Sequence, residues 1–497
     1  MVLLKNISYE WENGYKALDN VNMEIKEGEF VLISGESGSG KSTLGSIING
    51  LIPHYHKGKL KGKVFINGKD TSEMMLYEIG RIVGTVFQDP RSQFFTTTTD
   101  EEIAFGLQTI VKTKEEIKRR VDEVYEKLDI KELKGKSVFE LSSGQKQKTA
   151  IASICAMKPK ILILDEPSAN LDMKTVNDLF NILKILKGLG TTIILIEHRL
   201  YYVSSLFERF ILVKDGQIKM DCSKDKLFEK ESKFFEKNGL RPLNLGNCKI
   251  NNIKENNIKN LFLQGECLNF SYNNKFYNAY KNTKFVVKNL NFNINKGQII
   301  GIIGKNGAGK TTFARLISGL EYLKSGFIKD ERGNILREKE RLNQNYFIFQ
   351  DSDYQLFSES VLDEMFIGLS KDKNKKDAIS VLKMLGLEQY INKHPFTLSR
   401  GEKQRLTIAC GLMKDAKLFL YDEPTSGCDR NSMLAVSHLI KQQANSGVSV
   451  LIISHDFEFL AYTVNSIWVM NNGNIEKQLL MSEENKKEII SLMKGGK

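Results

Sequence analysis

Two glycine-rich segments each end in a lysine followed by two hydroxyl residues, GESGSGKST from Gly35 to Thr43 and GKNGAGKTT from Gly304 to Thr312. Gly35, Gly38 and Gly40, like Gly304, Gly307 and Gly309, leave backbone N–H groups free to wrap phosphate oxygens. Lys41 and Lys310 offer a cation to β and γ phosphates, and Ser42 and Thr311 a hydroxyl to Mg²⁺, with Thr43 and Thr312 closing each loop. Downstream of each, an apolar run ends in two carboxylates: ILILDEP from Ile161 to Pro167 and LFLYDEP from Leu418 to Pro424. Asp165 and Asp422 suit water-mediated Mg²⁺ binding, and Glu166 and Glu423 suit activation of a water that attacks the γ phosphate. A helix N-cap is the plainer reading of each acidic pair, since Pro and a Ser or Thr follow. The glycine loops upstream favour the phosphate chemistry, and two nucleotide sites are expected.

Such residues need particular elements to hold them. VNMEIKEGEFVLISG alternates and then runs apolar into the first loop, and NLNFNINKGQIIGIIG does so before the second. Each loop is therefore expected to follow a buried strand and open a helix, whose N-terminal N–H groups and dipole favour an anion. His198 and His455 stand just after the apolar runs of IILIEH and LIISH, where an imidazole can hydrogen-bond a γ phosphate. Helix-period segments follow each loop, TKEEIKRRVDEVYEKLDI in one half and KKDAISVLKMLGLEQYI in the other, so each half is expected to carry a helical insertion.

The spacings show a tandem duplication. Lys41 and Lys310 are 269 residues apart, Gln88 and Gln350 are 262 apart, and Ser142 and Ser399, Asp165 and Asp422, and His198 and His455 are each 257 apart. The later landmarks keep register without a slip. The expected division is residues 1–240, a linker at 241–260 and residues 261–497. The first half is expected to close with the helix-like SKDKLFEKESKFFEKNGL before Arg241 and Pro242, and LNLGNCKINNIKENNIKN reads as a flexible tether.

The 497 residues are 41% hydrophobic and 27% charged, ordinary for a globular chain, and no run reaches the about 18 apolar residues of a membrane span. The N-terminus lacks the order of a secretory signal. Six cysteines without a CxxC spacing argue against a zinc site or disulfide frame. The net charge of +12 admits a polyanion partner, but the lysines are scattered and read as a solvated surface.

LSSGQKQK from Leu141 to Lys148 and LSRGEKQR from Leu398 to Arg405 complete a pattern that resembles the ABC ATPase family, with its LSGGQ signature, in both halves. The resemblance covers nearly all of the chain outside the linker. It implies an α/β fold of two tandem P-loop NTPase domains, each a mainly parallel core sheet with an antiparallel β subdomain and a helical insertion. It also implies ATP and Mg²⁺ as cofactors, Q-loop glutamines at Gln88 and Gln350 beside the metal, D-loops ending at Asp172 and Asp429, and switch histidines at His198 and His455. Trp11 and Tyr272 resemble the family's adenine-stacking aromatic, the alternative being an aromatic that only packs at a strand end. By the same resemblance each ATP lies between the loop of one half and the signature of the other. Lys41 would pair with Ser399, Gly401 and Glu402, and Lys310 with Ser142, Gly144 and Gln145.

This sequence departs from the family pattern at Ser143 and Arg400, where the signature usually has Gly, and at Cys428 in the second D-loop. None of these is a residue expected to do chemistry, so both sites are expected to hydrolyse ATP. VFQDPRSQFF, IFQDSDYQLF and IEHRL resemble ATPase subunits of energy-coupling factor importers, which take up vitamins and transition-metal ions. That resemblance implies a membrane scaffold subunit docked just after each Q-loop, a separate substrate-capture subunit, and a place at the cytoplasmic face of the membrane. The other readings are a tandem sugar-importer ATPase, a soluble tandem ATPase acting on the ribosome, and a non-catalytic clamp. The presence of Glu423 and His455, the Asn-rich linker and the lack of long heptads weigh against them in turn.

Overall fold

The computed structural model describes residues 1–111, 113–250, 260–272, 286–369 and 374–496, and the Arg400 side chain lies outside the described part. These residues pack as two compact units, Met1–Asn247 with Gly427–Asn431, and Cys248–Ser426 with Ser432–Lys497.

The first unit runs β1 (Val2–Trp11), β2 (Lys16–Ile25), β3 (Phe30–Ser34), α1 (Lys41–Ile48), β4 (Gly58–Ile66), β5 (Lys69–Asp70), β6 (Val83–Val86), α2 (Thr99–Leu107), α3 (Lys114–Lys127) and α4 (Ser143–Ala156). It continues through β7 (Ile161–Asp165), α5 (Met173–Gly188), β8 (Thr192–Ile196), β9 (Arg209–Lys214) and β10 (Gln217–Ser223). The order β2-β1-β4-β5 makes an antiparallel sheet, and β10-β9-β3-β8-β7-β6 a second sheet that is parallel except at its β10 edge.

The strand β3 shows why the core sheet reads as continuous apolar runs: both faces are covered. Phe30 and Leu32 point into a cluster with Ile151 of α4 and Leu179 of α5, while Val31 and Ile33 join Val2, Leu4 and Ile25 of the antiparallel sheet. Each such buried side chain contributes about 2 kcal/mol relative to exposure. Every residue of β3 is buried, so the loop that follows leaves a rigid strand.

The second unit repeats this plan with β11 (Leu261–Phe270), β12 (Val287–Asn295), β13 (Ile299–Ile303), α6 (Lys310–Ser318), β14 (Ser325–Asp330), β15 (Asn345–Ile348), α7 (Lys375–Met384) and α8 (Arg400–Met413). Then follow β16 (Leu418–Asp422), β17 (Ser449–Ile453), β18 (Ser466–Asn471) and β19 (Asn474–Leu480). Its sheets are ordered β12-β11-β14 and β15-β16-β17-β13-β18-β19, the same core order as in the first unit. Both halves are therefore mixed α/β, with a parallel core and an antiparallel sheet, as expected.

The helix-period segments form α3 and α7, each opened by a side-chain cap at Thr113 or Asn374. Two readings change. SKDKLFEKESKFFEKNGL is not one helix but two short ones, Lys224–Phe228 and Ser232–Lys237, because Glu231 takes an extended conformation and starts the second. The tether is not loose from Leu243 onward: Leu245, Cys248 and Ile250 are buried, Ile250 N donates to Glu483 Oε1 at 3.2 Å, and Lys486 Nζ donates to Cys248 O. Three apolar side chains spaced among the asparagines suffice to dock it. Its remainder, 251–259, lies outside the described residues. No helix among the described residues is long and apolar enough to cross a membrane.

Candidate functional site

In the first unit the glycine loop leaves β3 and opens α1, and it is glycine by necessity. Gly35, Gly38 and Gly40 have φ of 152°, 77° and 103°. A Cβ at Gly35 would lie 2.0 Å from Val213 O, and one at Gly40 2.5 Å from Ala17 O. Gly304 and Gly309 meet the same obstacle in the second unit, at 2.2 Å from Met470 O and 2.7 Å from Val286 O. Gly38 and Gly307 have open space around them, so only their positive φ calls for glycine.

Lys41 is buried, and its Nζ donates to the carbonyls of Gly35 (3.0 Å) and Glu36 (2.7 Å). Burial lowers the pKa of its ammonium, with Glu166 opposing the shift. Lys310 makes the corresponding bonds to Gly304 O (2.7 Å) and Lys305 O (3.1 Å).

The strand β7 ends at Asp165 and β16 at Asp422. The next residues, Glu166 and Glu423, sit at φ of 45° and 49°, a left-handed conformation that costs a non-glycine residue about 1–2 kcal/mol. The same strain in both copies is held by Glu166 N donating to Ile196 O and Glu423 N to Ile453 O, each at 2.9 Å. The turn aims each glutamate along the strand ends.

In the first unit this brings three side chains together that lie far apart in the chain. Gln88 Nε2 donates to Glu166 Oε2 at 2.7 Å, and His198 Nε2 lies 3.1 Å from Glu166 Oε1. In the second unit His455 Nε2 is 3.6 Å from Glu423 Oε1, and His455 N donates to Glu423 Oε2 at 3.3 Å. Gln350 follows β15 at the corresponding exposed position.

A divalent cation fits the residues present. Asp165 Oδ1 is buried without a hydrogen-bond partner among the described residues, and burial, reinforced by Glu166, pushes its carboxyl up to about 6 while the Ser42 hydroxyl opposes the shift. A hydroxyl and an unsatisfied carboxylate oxygen are the hard donors that Mg²⁺ takes. Burial raises Asp422 likewise, and Thr311 Oγ1 donates to its Oδ2 at 3.0 Å.

The signature residues have duties inside their own units. Ser142 and Gln145 cap α4 reciprocally, Gln145 N to Ser142 Oγ at 3.3 Å and Ser142 N to Gln145 Oε1 at 3.0 Å. Ser399 and Glu402 do the same for α8, at 3.4 and 2.7 Å. Gly144 is buried against α5, where a Cβ would come within 2.2 Å of Thr175 Cγ2, whereas the nearest atom to a Cβ at Gly401 is 3.8 Å away. Ser143 is exposed, and Asp172 caps α5 through Thr175 N at 2.8 Å.

Trp11 meets Tyr9 and His56 edge-on, with centroids at 5.0 and 5.7 Å. Tyr272 is half exposed, and its hydroxyl lies 3.2 Å from Thr312 Oγ1. Sequence reasoning missed Tyr15, whose hydroxyl donates to Gly38 O at 2.8 Å and ties the β1–β2 turn to the glycine loop. It also missed the buried network of Glu197, Arg199 and Tyr202 around His198, although IEHRL marked the place.

The sequence model of ABC transporters matches residues 18–169 and 287–426, which hold both glycine loops and both Asp–Glu strand ends. The chain belongs to the ABC transporter family. As an ABC ATPase with two such domains, it binds and hydrolyses ATP. It is 36% identical, over 98% of its length and 99% of the relative's, to a provisionally named ABC transporter ATP-binding protein of Treponema denticola. It is 31% identical, over 96% of its length and 90% of the relative's, to the provisionally named HMP/thiamine import ATP-binding protein YkoD of Bacillus subtilis. An archaeal ribosome recycling factor, aABCE1, solved in complex with the ribosomal stalk protein aP1, aligns with a TM-score of 0.63 over 98% of this ABC ATPase and 92% of its own chain. At 22% identity that likeness is one of fold.

Proposed function

We propose that this ABC ATPase works at the cytoplasmic face of a membrane, where it powers import of a micronutrient, a vitamin or transition-metal ion, through the scaffold and substrate-capture subunits of an energy-coupling factor type transporter. The observation that carries this reading is a presented pair of apolar side chains after each Q-loop. Phe95 is 72% exposed and stacks at 5.0 Å on Phe105, while Phe357 and Ile367, each 262 residues later, are 75% and 53% exposed.

Both loops are built to hold that residue out. The buried Glu102 carboxylate accepts from Phe95 N and Thr96 N at 3.0 Å each, and buried Glu364 accepts from Phe357 N and Ser358 N at 2.8 Å each. Gln93 accepts from Phe87 N and donates to Thr85 O, and Gln355 does the same between Phe349 N and Phe347 O. A rigid loop that exposes a phenylalanine in water suits an apolar partner helix. Beside the first loop, a groove of about 230 Å³ is lined by Leu51, Leu76, Phe87, Ile154 and Met157. The import named for YkoD supports the same branch.

In this reading the glycine loops and Lys41 or Lys310 bind the phosphates of ATP, and Ser42 with Asp165 and Gln88, or Thr311 with Asp422 and Gln350, would hold Mg²⁺. The metal, when bound, neutralises phosphate charge. Glu166 and Glu423 accept the proton of the attacking water, and His198 and His455 orient the γ phosphate. Each loop pairs with the opposite signature, Lys41 with Ser399, Gly401 and Glu402, and Lys310 with Ser142, Gly144 and Gln145, so that ATP draws the halves together and hydrolysis releases them.

Purification from detergent-treated membranes tests the import reading. A small multi-span protein is expected to accompany the chain. Salt-sensitive co-sedimentation with ribosomes, with no membrane protein bound, would overturn the import reading in favour of a ribosomal role.

A further inference from the structure

Glu197 sits between β8 and His198 with 2% of its surface exposed, and its carboxylate is fully engaged. Oε1 accepts from the N–H groups of His198 (2.7 Å) and Arg199 (3.0 Å), and Oε2 from the Tyr202 hydroxyl (3.0 Å) and Ser168 N (3.4 Å). Arg199, also buried, sends its Nη1 to Ser168 O (3.3 Å) and Leu171 O (3.1 Å). Ser168 lies two residues past Glu166. The loop that carries His198 therefore grips the turn that carries Glu166 through both its N–H and its C=O.

Burying a carboxylate and a guanidinium costs stability unless their bonds are satisfied, and apolar packing would join two loops at lower cost. What the two charged side chains add is direction: each of their bonds to backbone fixes an angle as well as a distance. We infer that Glu197 and Arg199 are positioning residues for ATP hydrolysis, which clasp the two turns so that Glu166 and His198 stay 3.1 Å apart.

This device belongs to the first unit. At the positions 257 residues later stand Ser454 and Asp456. The carboxylate of Asp456 accepts from Thr425 Oγ1 at 3.2 Å, and Ser454 Oγ donates to Glu423 Oε2 at 3.5 Å. At these two positions the units therefore differ: a glutamate and an arginine clasp the turn beside Glu166, and a serine and an aspartate stand beside Glu423.

The test uses the full chain carrying Glu423→Gln, so that turnover reports the Glu166 site. Arg199→Met is expected to lower kcat tenfold to a hundredfold, on the order of the loss when a catalytic group sits about 1 Å out of place. The KM for ATP should stay within about twofold. Arg199→Lys, which keeps the charge and one donor, should recover roughly threefold of that loss. Because Arg199 acts through His198, adding Arg199→Met to His198→Ala should cost little more than His198→Ala alone. Unchanged kcat, a rise in KM alone, no recovery with lysine, or fully additive losses would each overturn the inference. If Arg199→Met does not fold, Glu197→Gln carries the same measurements. The inference rests on Glu166 and His198 acting in hydrolysis, and Glu166→Gln in the same background tests that separately: turnover that survives it removes the premise, whatever Arg199 does.

Discussion

Glu166 Oε1 and His198 Nε2 face each other at 3.1 Å, while Gln88 holds the other carboxylate oxygen of Glu166 at 2.7 Å. The glutamate is thus gripped from both sides while its backbone is held left-handed, an arrangement that aims a proton acceptor without leaving it to rotate.

If these glutamates accept the proton of the attacking water, replacing both Glu166 and Glu423 with Gln should lower phosphate release by on the order of 100-fold or more, the usual worth of a general base. Binding of a fluorescent ATP analogue should persist, since the phosphates are bound by the loops and lysines. Full turnover in the double variant would remove both residues from the chemistry.

The glycine loop gives a graded prediction. Gly35→Ala puts a methyl group 2.0 Å from Val213 O, so backbone must move, whereas Gly38→Ala meets open space and pays only for its φ of 77°, about 1–2 kcal/mol. Thermal unfolding should show Gly35→Ala as clearly the less stable of the two.

The signature glycines separate fold from function. Gly144→Ala overpacks α4 against Thr175 and should cost about 1–3 kcal/mol, read as a lower melting temperature. Gly401→Ala has room and should fold normally, so a loss of ATPase activity there, with an unchanged melting temperature, would report contact between the second signature and a nucleotide.

Docking is tested at Phe95. Phe95→Asp should sharply reduce co-purification of a membrane subunit and change nucleotide binding of the isolated chain by less than about twofold, since exposed substitutions rarely disturb folding by more than about 0.5 kcal/mol. Glu102→Ala should weaken the same co-purification indirectly: it strips the acceptor from Phe95 N and Thr96 N, a loss of about 1–3 kcal/mol that frees the loop.

Much of the fold was legible in the chain. The strand before each loop reads as apolar because both its faces are covered, and the helices α3 and α7 show their period and their caps. The misreadings were local as well. Two short helices looked like one because Lys and Glu suit a helix on either side of the break at Glu231, and the tether hid three docking side chains among its asparagines.

The sequence by itself determined the doubled phosphate-binding chemistry, because glycine, lysine and strand-end carboxylates at fixed spacing act through near neighbours: Lys41 reaches carbonyls five and six residues away. The tertiary structure alone decided what converges on Glu166. Gln88 is 78 residues from it, and Arg199 reaches Ser168 across 31 residues. No local propensity encodes such meetings. They arise from the order of strands in the sheet, which sets the ends of β6, β7 and β8 side by side.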